Sequence, residues 1–181
     1  PVAVLRASGV VMSDAALAAM VTHDRGERLR EVYISATPLS VTHLRPLIDA
    51  ALPSIEALAL PSTVLSAATL SVLVEASWWD RLRSLNVSQN ALDDLAIEAL
   101  MGGPALRRLR HLDLRDSKLT PEGLRRLLEH LERGFAPALQ RLEVDARLLT
   151  SDHAYDLRGI ALGWRRDLLP WEMLAPQPLD P

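Results

Sequence analysis

The chain has 181 residues, of which 49% are hydrophobic, 24% charged and 4% aromatic, with no Cys and a formal net charge of -3. This composition describes one globular unit and excludes a disulfide framework, a Cys-ligated zinc site and a thiol nucleophile. Because no apolar run is long enough to span a membrane and no signal peptide opens the chain, we expect a cytoplasmic protein without membrane contact, and its net negative charge argues against a nucleic acid partner.

Leucine fills 36 positions, against seven aromatic residues in total. A leucine-based core with so few rings is typical of stacked repeats. Five segments superimpose without gaps and begin 26, 27, 27 and 30 residues apart. They are LREVYI (29–34), IEALAL (55–60), LRSLNV (82–87), LRHLDL (109–114) and LQRLEV (139–144). A truncated copy opens the chain, so repeats are predicted to start near residues 1, 29, 55, 82, 109 and 139.

Each repeat is predicted to form a short strand followed by a helix. Alternating apolar residues, such as Leu112 and Leu114, face one side of the strand, and a capping residue then begins the helix. The predicted caps are Ser13, Ser40, Ser66, Asp93, Thr120 and either Thr150 or Ser151. We expect the last helix to cover about residues 151–164. Pro46 predicts a second helix that begins late, near Leu44, or is kinked.

The pattern resembles the leucine-rich repeat, L-x-x-L-x-L-x-x-N-x-L, and its length suits the ribonuclease-inhibitor-like class. This resemblance implies an α/β solenoid of about six repeats over residues 1–163, with parallel strands on the concave face and helices on the convex face. The Asn of the turn is kept only at Asn90; the other repeats carry Ser8, Thr37, Thr63, Ser117 and Arg147. We therefore expect irregular turns, with the repeat that contains Arg147 as the terminal one.

The two ends of the solenoid are expected to differ. Residues 164–181 are predicted to form a C-terminal cap and Pro-rich tail, in which Trp164, Trp171 and Met173 cover the last repeat. The chain begins inside a strand, which suggests the C-terminal part of a longer protein or, alternatively, an edge that pairs with a partner. Of the adjacent pair Trp78 and Trp79, one ring is predicted to enter the core and the other to face the surface.

The strand residues between the buried leucines form what we call the strand face, the concave side of the sheet. Small or apolar groups dominate the early strands, with Tyr33 the only large side chain, whereas the last two strands carry mostly charges. Parallel stacking predicts that Asp113 neighbours Glu143, that Arg115 neighbours Asp145 and that His111 neighbours Arg141.

The carboxylates Asp113 and Glu143, with Asn86 and Asp116 nearby, are predicted to contact a protein partner that carries a basic patch. The alternative is a charged face whose carboxylates pair internally with arginine. The full set of predicted partner-binding residues is Tyr33, Asn86, His111, Asp113, Arg115, Asp116, Arg141, Glu143 and Asp145.

No motif for a cofactor is present, and the five histidines lack metal-ligand spacing, so neither a cofactor nor a metal is predicted. A hydrolase that uses Asp113 and Glu143 is a weak alternative, because a strand face offers no enclosed pocket. The resemblance instead implies a noncatalytic recognition module that binds a protein partner through the concave strands. The rival interpretation is a sensor or autoinhibitory segment of a larger signalling protein.

Overall fold

A computed structural model describes residues 3–9, 13–22, 26–148 and 161–163. The strands are β1 (Ala3–Ser8), β2 (Leu29–Ser35), β3 (Ala57–Ala59), β4 (Ser84–Asn86), β5 (His111–Asp113), β6 (Arg141–Glu143) and β7 (Ala161–Gly163). The helices are α1 (Asp14–Thr22), α2 (Val41–Asp49), α3 (Ala67–Leu73), α4 (Asp94–Gly102) and α5 (Pro121–Glu132). None of the helices in these ranges is long and apolar enough to cross a membrane.

The described strands form one parallel sheet in chain order, from β1 to β7. The register repeats without a shift from β2 onwards, so that Leu58, Leu85, Leu112 and Leu142 lie on consecutive rungs. The predicted architecture, an α/β solenoid of parallel strands alternating with helices, is therefore confirmed.

The helices begin where the sequence predicts their caps. The side chains of Ser40, Ser66, Asp93 and Thr120 each accept a hydrogen bond from the amide three residues on, which satisfies a donor that the helix leaves free. Helix α2 begins directly after Ser40, so the prediction of a late start near Leu44 is wrong. Pro46 lies inside that helix.

The core lies between the sheet and the helices. In α5 the buried residues Leu124, Leu127, Leu128 and Leu131 follow helical spacing, and each fully buried leucine contributes about 1.5–3 kcal/mol to folding.

The two adjacent tryptophans both lie in this core. Trp78 and Trp79 are each 1% exposed. The prediction that one ring faces the surface is therefore wrong. Trp78 tolerates burial because its Nε1 donates to the carbonyl oxygen of Leu47 at 3.0 Å.

Asn90 joins two consecutive repeats through its buried amide. Its Nδ2 donates to the carbonyl oxygens of Leu60 (2.7 Å) and Ser88 (2.9 Å). Its Oδ1 accepts from the backbone amides of Thr63 (2.8 Å) and Leu65 (3.1 Å). This one side chain thus fixes the turn of the preceding repeat.

The turns share one feature and differ in another. Equivalent turn residues, 26 or 27 positions apart, have positive φ: Ala36, Ser62, Gln89 and Asp116. A second residue with positive φ occurs at Val64 and Ala91 but not at the equivalent Pro38 and Lys118, and the turn after β6 contains a 3-10 helix, Ala146–Leu148, so the turns are irregular as expected. Hydroxyls replace part of the Asn bonding, since Thr63 Oγ1 donates to Leu60 O at 2.7 Å.

The C-terminal end differs from the prediction. Strand β7 pairs with β6 in the region where a helix over residues 151–164 was expected. The repeat containing Arg147 is therefore followed by a further strand, and it is not terminal. The cap proposed for residue 150 or 151 and the lid formed by Trp164, Trp171 and Met173 lie outside the described residues.

Candidate functional site

The sheet register brings the predicted site residues into two rows on the strand face. The first row crosses the sheet through Tyr33, Ala59, Asn86, Asp113 and Glu143. The second row crosses it through Glu31, Ala57, Ser84, His111 and Arg141. The predicted neighbours Asp113 and Glu143, and likewise His111 and Arg141, are therefore side by side.

The half of the strand face on β2–β4 is built from small side chains. Ala57 and Ala59 are buried by their neighbours, and Tyr33 beside them is half-buried. Asn86 is also buried, and its Oδ1 accepts from the backbone amide of Ser88 at 3.0 Å and from its hydroxyl at 2.8 Å. The buried amide of this half is thus satisfied by short local bonds.

The half on β5–β6 contains a cluster of opposite charges, which we call the arginine–carboxylate cluster: Asp113, Arg115, Arg141 and Glu143. Arg115 donates to both oxygens of Asp113, from Nε at 2.9 Å and from Nη2 at 2.8 Å. Its Nε also lies 3.0 Å from Glu143 Oε2. Arg141 Nε lies 2.7 Å from Glu143 Oε1.

The arginines of this cluster cover its carboxylates. The side chains of Asp113 and Glu143 are each 1% exposed, whereas those of Arg115 and Arg141 are 17% and 34% exposed. Within the cluster, the accessible side chains are therefore the arginines and not the carboxylates. This corresponds to the internal-pairing alternative, and it means that a basic patch could not reach the two carboxylates without displacing the arginines.

Glu143 lacks the hydrogen bonds that its ion pairs would suggest. Its N–O distances are short, but the N–H groups are not directed at it, and neither of its oxygens has a hydrogen-bond partner among the described residues. Arg141 Nε and the nearby His111 Nε2 are buried and equally without a partner there. Polar atoms left in this state cost stability.

Burial also shifts the proton affinities of this region. It raises the pKa of Glu143; Arg115 opposes the increase, and the Asp113 carboxylate adds to it. Burial and the Arg141 guanidinium lower the pKa of His111 below 6.5, opposed by Asp113. The hydrogen bonds to Asp113 raise the pKa of Arg115.

The two remaining predicted residues lie at the rim of the cluster. Asp145 Oδ1 accepts from the backbone amide of Asp116 at 2.7 Å, and its Oδ2 pairs with Arg147 at 3.2 Å. Asp116 is exposed and has a φ of 52°. The side chain of Arg115, which was predicted beside Asp145, forms its ion pairs with Asp113 and Glu143.

This geometry does not suit hydrolysis by Asp113 and Glu143. Acid or nucleophilic catalysis needs carboxylates that reach the substrate, and these two are covered and held by guanidinium groups. Within the described residues, no group of three or more His, Asp or Glu side chains is arranged to hold a metal ion.

Comparisons with known proteins agree with the architecture. The family profile described as Leucine Rich repeat matches residues 82–101 and 106–128. A chain in the crystal structure of Rad7 and Elc1 complex in yeast superimposes with a TM-score of 0.62 at 20% identity, covering 85% of this chain and 38% of that chain. No curated protein matches the sequence significantly.

Stacked repeats of one strand and one helix, with a regular strand face, define a solenoid repeat protein. Two of its repeats match the family described as Leucine Rich repeat, and its fold is similar to that of the Rad7 and Elc1 complex chain. Its assignment to the ribonuclease-inhibitor-like class and the domain limits at residues 1–163 and 164–181 stay predictions.

Proposed function

We propose that this chain is a noncatalytic recognition module that binds a protein partner through the strand face. The observation that carries the proposal is the regular register of β2–β6, which holds ten strand-face side chains in two straight rows. Side chains fixed in advance lose little entropy on binding. The leucine-rich repeat architecture supports the proposal, as does the similarity to a chain that was solved in a protein complex.

The predicted contact residues take two different roles in this proposal. Tyr33, His111, Arg115, Arg141 and Asp145 are partly exposed and form the contact surface, with the exposed Asp116 at its rim. Three buried residues position them: Asn86, Asp113 and Glu143.

The exposed guanidinium groups decide which partner chemistry fits. Arg115 and Arg141 offer donors and flat faces for carbonyl, carboxylate or aromatic groups of a partner. We therefore favour a partner that brings acceptors to this end of the face over the basic patch predicted from the sequence.

A matched pair of substitutions tests the strand face. Ser84 lies in the middle of the second row, between Ala57 and His111, so that Ser84→Arg places a long side chain across the contact surface. Ser71 is exposed on helix α3, and Ser71→Arg is the control with the same change of charge and size. Each variant is used as bait in lysate of the source cells, and captured proteins are quantified by mass spectrometry.

We expect proteins captured by the wild type to be lost with Ser84→Arg and retained with Ser71→Arg. Equal recovery with both variants would show that the strand face is not the contact surface. Failure of the wild type to enrich any protein would contradict the recognition function itself. Thermal melting of both variants establishes that they are folded.

A further inference from the structure

Seven exposed arginines gather at the edge of the sheet where the strands begin. We call this surface the basic edge; it consists of Arg28, Arg30, Arg81, Arg83, Arg107, Arg108 and Arg110. The edge lies outside the strand face, because its residues precede or open the strands, whereas the rows of the strand face begin at Glu31 and its equivalents. The net charge of the chain, -3, hides this local excess of cations.

Backbone hydrogen bonds align the basic edge across the repeats. The amide of residue 56 donates to Arg30 O (2.8 Å), that of Arg83 to Glu56 O (2.7 Å) and that of Arg110 to Arg83 O (2.8 Å). These residues therefore form a row with the strand spacing of about 4.8 Å, which spans about 14 Å from Arg30 to Arg110. Arg81 and Arg108 lie two residues before Arg83 and Arg110 and widen the row at β4 and β5.

Most of these arginines are not used within the fold. The guanidinium groups of Arg28, Arg30, Arg107, Arg108 and Arg110 make no ion pair or side-chain hydrogen bond in the described parts of the chain. The other two make one contact each. Arg83 lies 3.9 Å from Glu56, and Arg81 donates to the carbonyl oxygen of residue 53 at 3.1 Å.

Helix dipoles do not account for the arrangement. A cation stabilises a helix C-terminus only within its last turn. Helix α3 ends at Leu73 and α4 at Gly102, whereas the nearest arginines of the edge that follow them are Arg81 and Arg107. Arg28 and Arg81 each end a 3-10 helix of a single turn, and the other five arginines lie beyond the range of that interaction.

We propose that the basic edge is a second docking surface, which binds an acidic segment of a protein partner. Carboxylates on alternate residues of an extended segment lie about 7 Å apart and can meet guanidinium groups along the row. The acidic residues Glu27, Glu56 and Asp80 lie between the arginines. A partner with spaced carboxylates can avoid them.

The tryptophans beside the edge also argue for a protein ligand. Single-stranded nucleic acid is held largely by bases that stack on exposed aromatic rings. Trp78 and Trp79 adjoin Arg81 in sequence, but both are buried and cannot stack on a base. The proposal goes beyond the strand-face function and does not depend on it.

Fluorescence anisotropy with defined probes tests the proposal on the full chain. The acidic probe is a labelled peptide of alternating Glu and Ser, its neutral counterpart has Gln in place of Glu, and a single-stranded oligonucleotide of equal length is the third probe. The edge variant combines Arg83→Ser, Arg108→Ser and Arg110→Ser. The control variant combines Arg45→Ser, Arg125→Ser and Arg126→Ser on helices α2 and α5, and it removes the same amount of charge.

We expect the wild type to bind the Glu peptide in preference to both other probes, and more weakly as salt rises from about 50 to about 300 mM. The edge variant should bind the Glu peptide about tenfold more weakly, and the control variant less than about twofold. Equal weakening in the two variants would overturn the proposal, because net charge alone would then explain binding. Tighter binding of the oligonucleotide, or no binding of the Glu peptide by the wild type, would overturn it as well.

The proposals for the strand face and for the basic edge can be tested separately. Ser84→Leu obstructs the strand face without a change of charge and leaves the arginines of the basic edge in place, so that this variant should bind the Glu peptide as the wild type does. If Ser84→Leu weakens binding of the Glu peptide as strongly as the edge variant does, the peptide binds the strand face, and the basic edge is not a separate docking surface.

Discussion

The two halves of the strand face share one backbone and differ in chemistry. On β3 the positions of the two rows are Ala57 and Ala59, whereas the same positions on β5 are His111 and Asp113. The inward-facing leucines of both strands are buried equally. The repeat therefore fixes where a strand-face side chain lies but does not fix which residue type occupies the position. These positions are thus free to carry residues that bind a partner.

The charged half of the strand face, on β5–β6, carries a cost in folding stability that the half with small side chains, on β2–β4, does not. We call the latter the small half. Ions removed from water lose the free energy of hydration. The attraction within an ion pair offsets this loss fully only when the geometry also provides good hydrogen bonds. Glu143 has two short ion pairs and no hydrogen bond among the described residues. A region that keeps such a group at the expense of stability is a good candidate for function.

Removal of the central guanidinium should have the largest effect. Arg115→Leu leaves Asp113 without its ion-pair partner, with only the backbone amide of residue 115 as a donor, and Glu143 with only Arg141, so we expect the free energy of unfolding to fall by about 3 kcal/mol. The equivalent position in the small half is Ser88, where Ser88→Ala should cost about 1 kcal/mol through the loss of its bond to Asn86. Urea denaturation at neutral pH measures both.

A second substitution separates charge from packing at Arg115. In the double variant Arg115→Leu with Glu143→Gln, one buried charge is gone, and about half of the lost stability should return. If the double variant is no more stable than Arg115→Leu alone, the cost arises from packing, and the contrast between the halves is not electrostatic.

The architecture was predictable from the sequence because each repeat carries its own signal. The segments at 82–87 and 109–114 align without gaps, and the capping residues Asp93 and Thr120 mark where helices begin. The turns are irregular as expected, since a second left-handed residue occurs only at Val64 and Ala91, but the left-handed residue that the turns share was not predicted. Ala36 and Gln89 adopt positive φ although neither residue type favours it.

The site was predictable in position and not in accessibility. Register follows from the repeat, so Asp113 was placed beside Glu143 correctly. Their burial depends on where a flexible arginine side chain points, and sequence spacing does not determine this. The basic edge had a signal in the Leu-Arg pairs at residues 29, 82 and 109, which becomes meaningful only when the strands are stacked.

The turns allow a second comparison between the halves. Asn90→Ala removes an amide that bonds to Leu60, Ser88, Thr63 and Leu65, and it leaves buried backbone groups without partners. We expect a loss of about 2 kcal/mol in the free energy of unfolding.

The matched substitution in the later half is Ser117→Ala. The hydroxyl of Ser117 accepts a hydrogen bond from the amide of Leu119 at 3.4 Å, which is long, so its removal should cost less than about 1 kcal/mol. Equal losses in the two variants would show that the turn amide adds nothing beyond a hydroxyl, and that the repeats are stabilised by their cores alone.

The smallest expected effect concerns pH, and it should be confined to the charged half. His111 has a pKa lowered below 6.5, chiefly by burial, so the unfolded chain binds a proton more readily than the folded one. Stability from this group is therefore present above pH 6.5 and is lost as pH falls through the folded pKa. His111→Asn should lose less stability than the wild type between about pH 7.5 and about pH 5.5.

The control for this measurement is His130→Asn on helix α5, away from Arg141 and Asp113, the charged groups that face His111. We expect this variant to follow the pH dependence of the wild type more closely than His111→Asn does. An unchanged slope in His111→Asn would mean that the imidazole reaches water when it takes up a proton. The charged half of the strand face would then be open enough to admit solvent. Burial of charged groups could then not be the source of the cost in stability that we assign to this half.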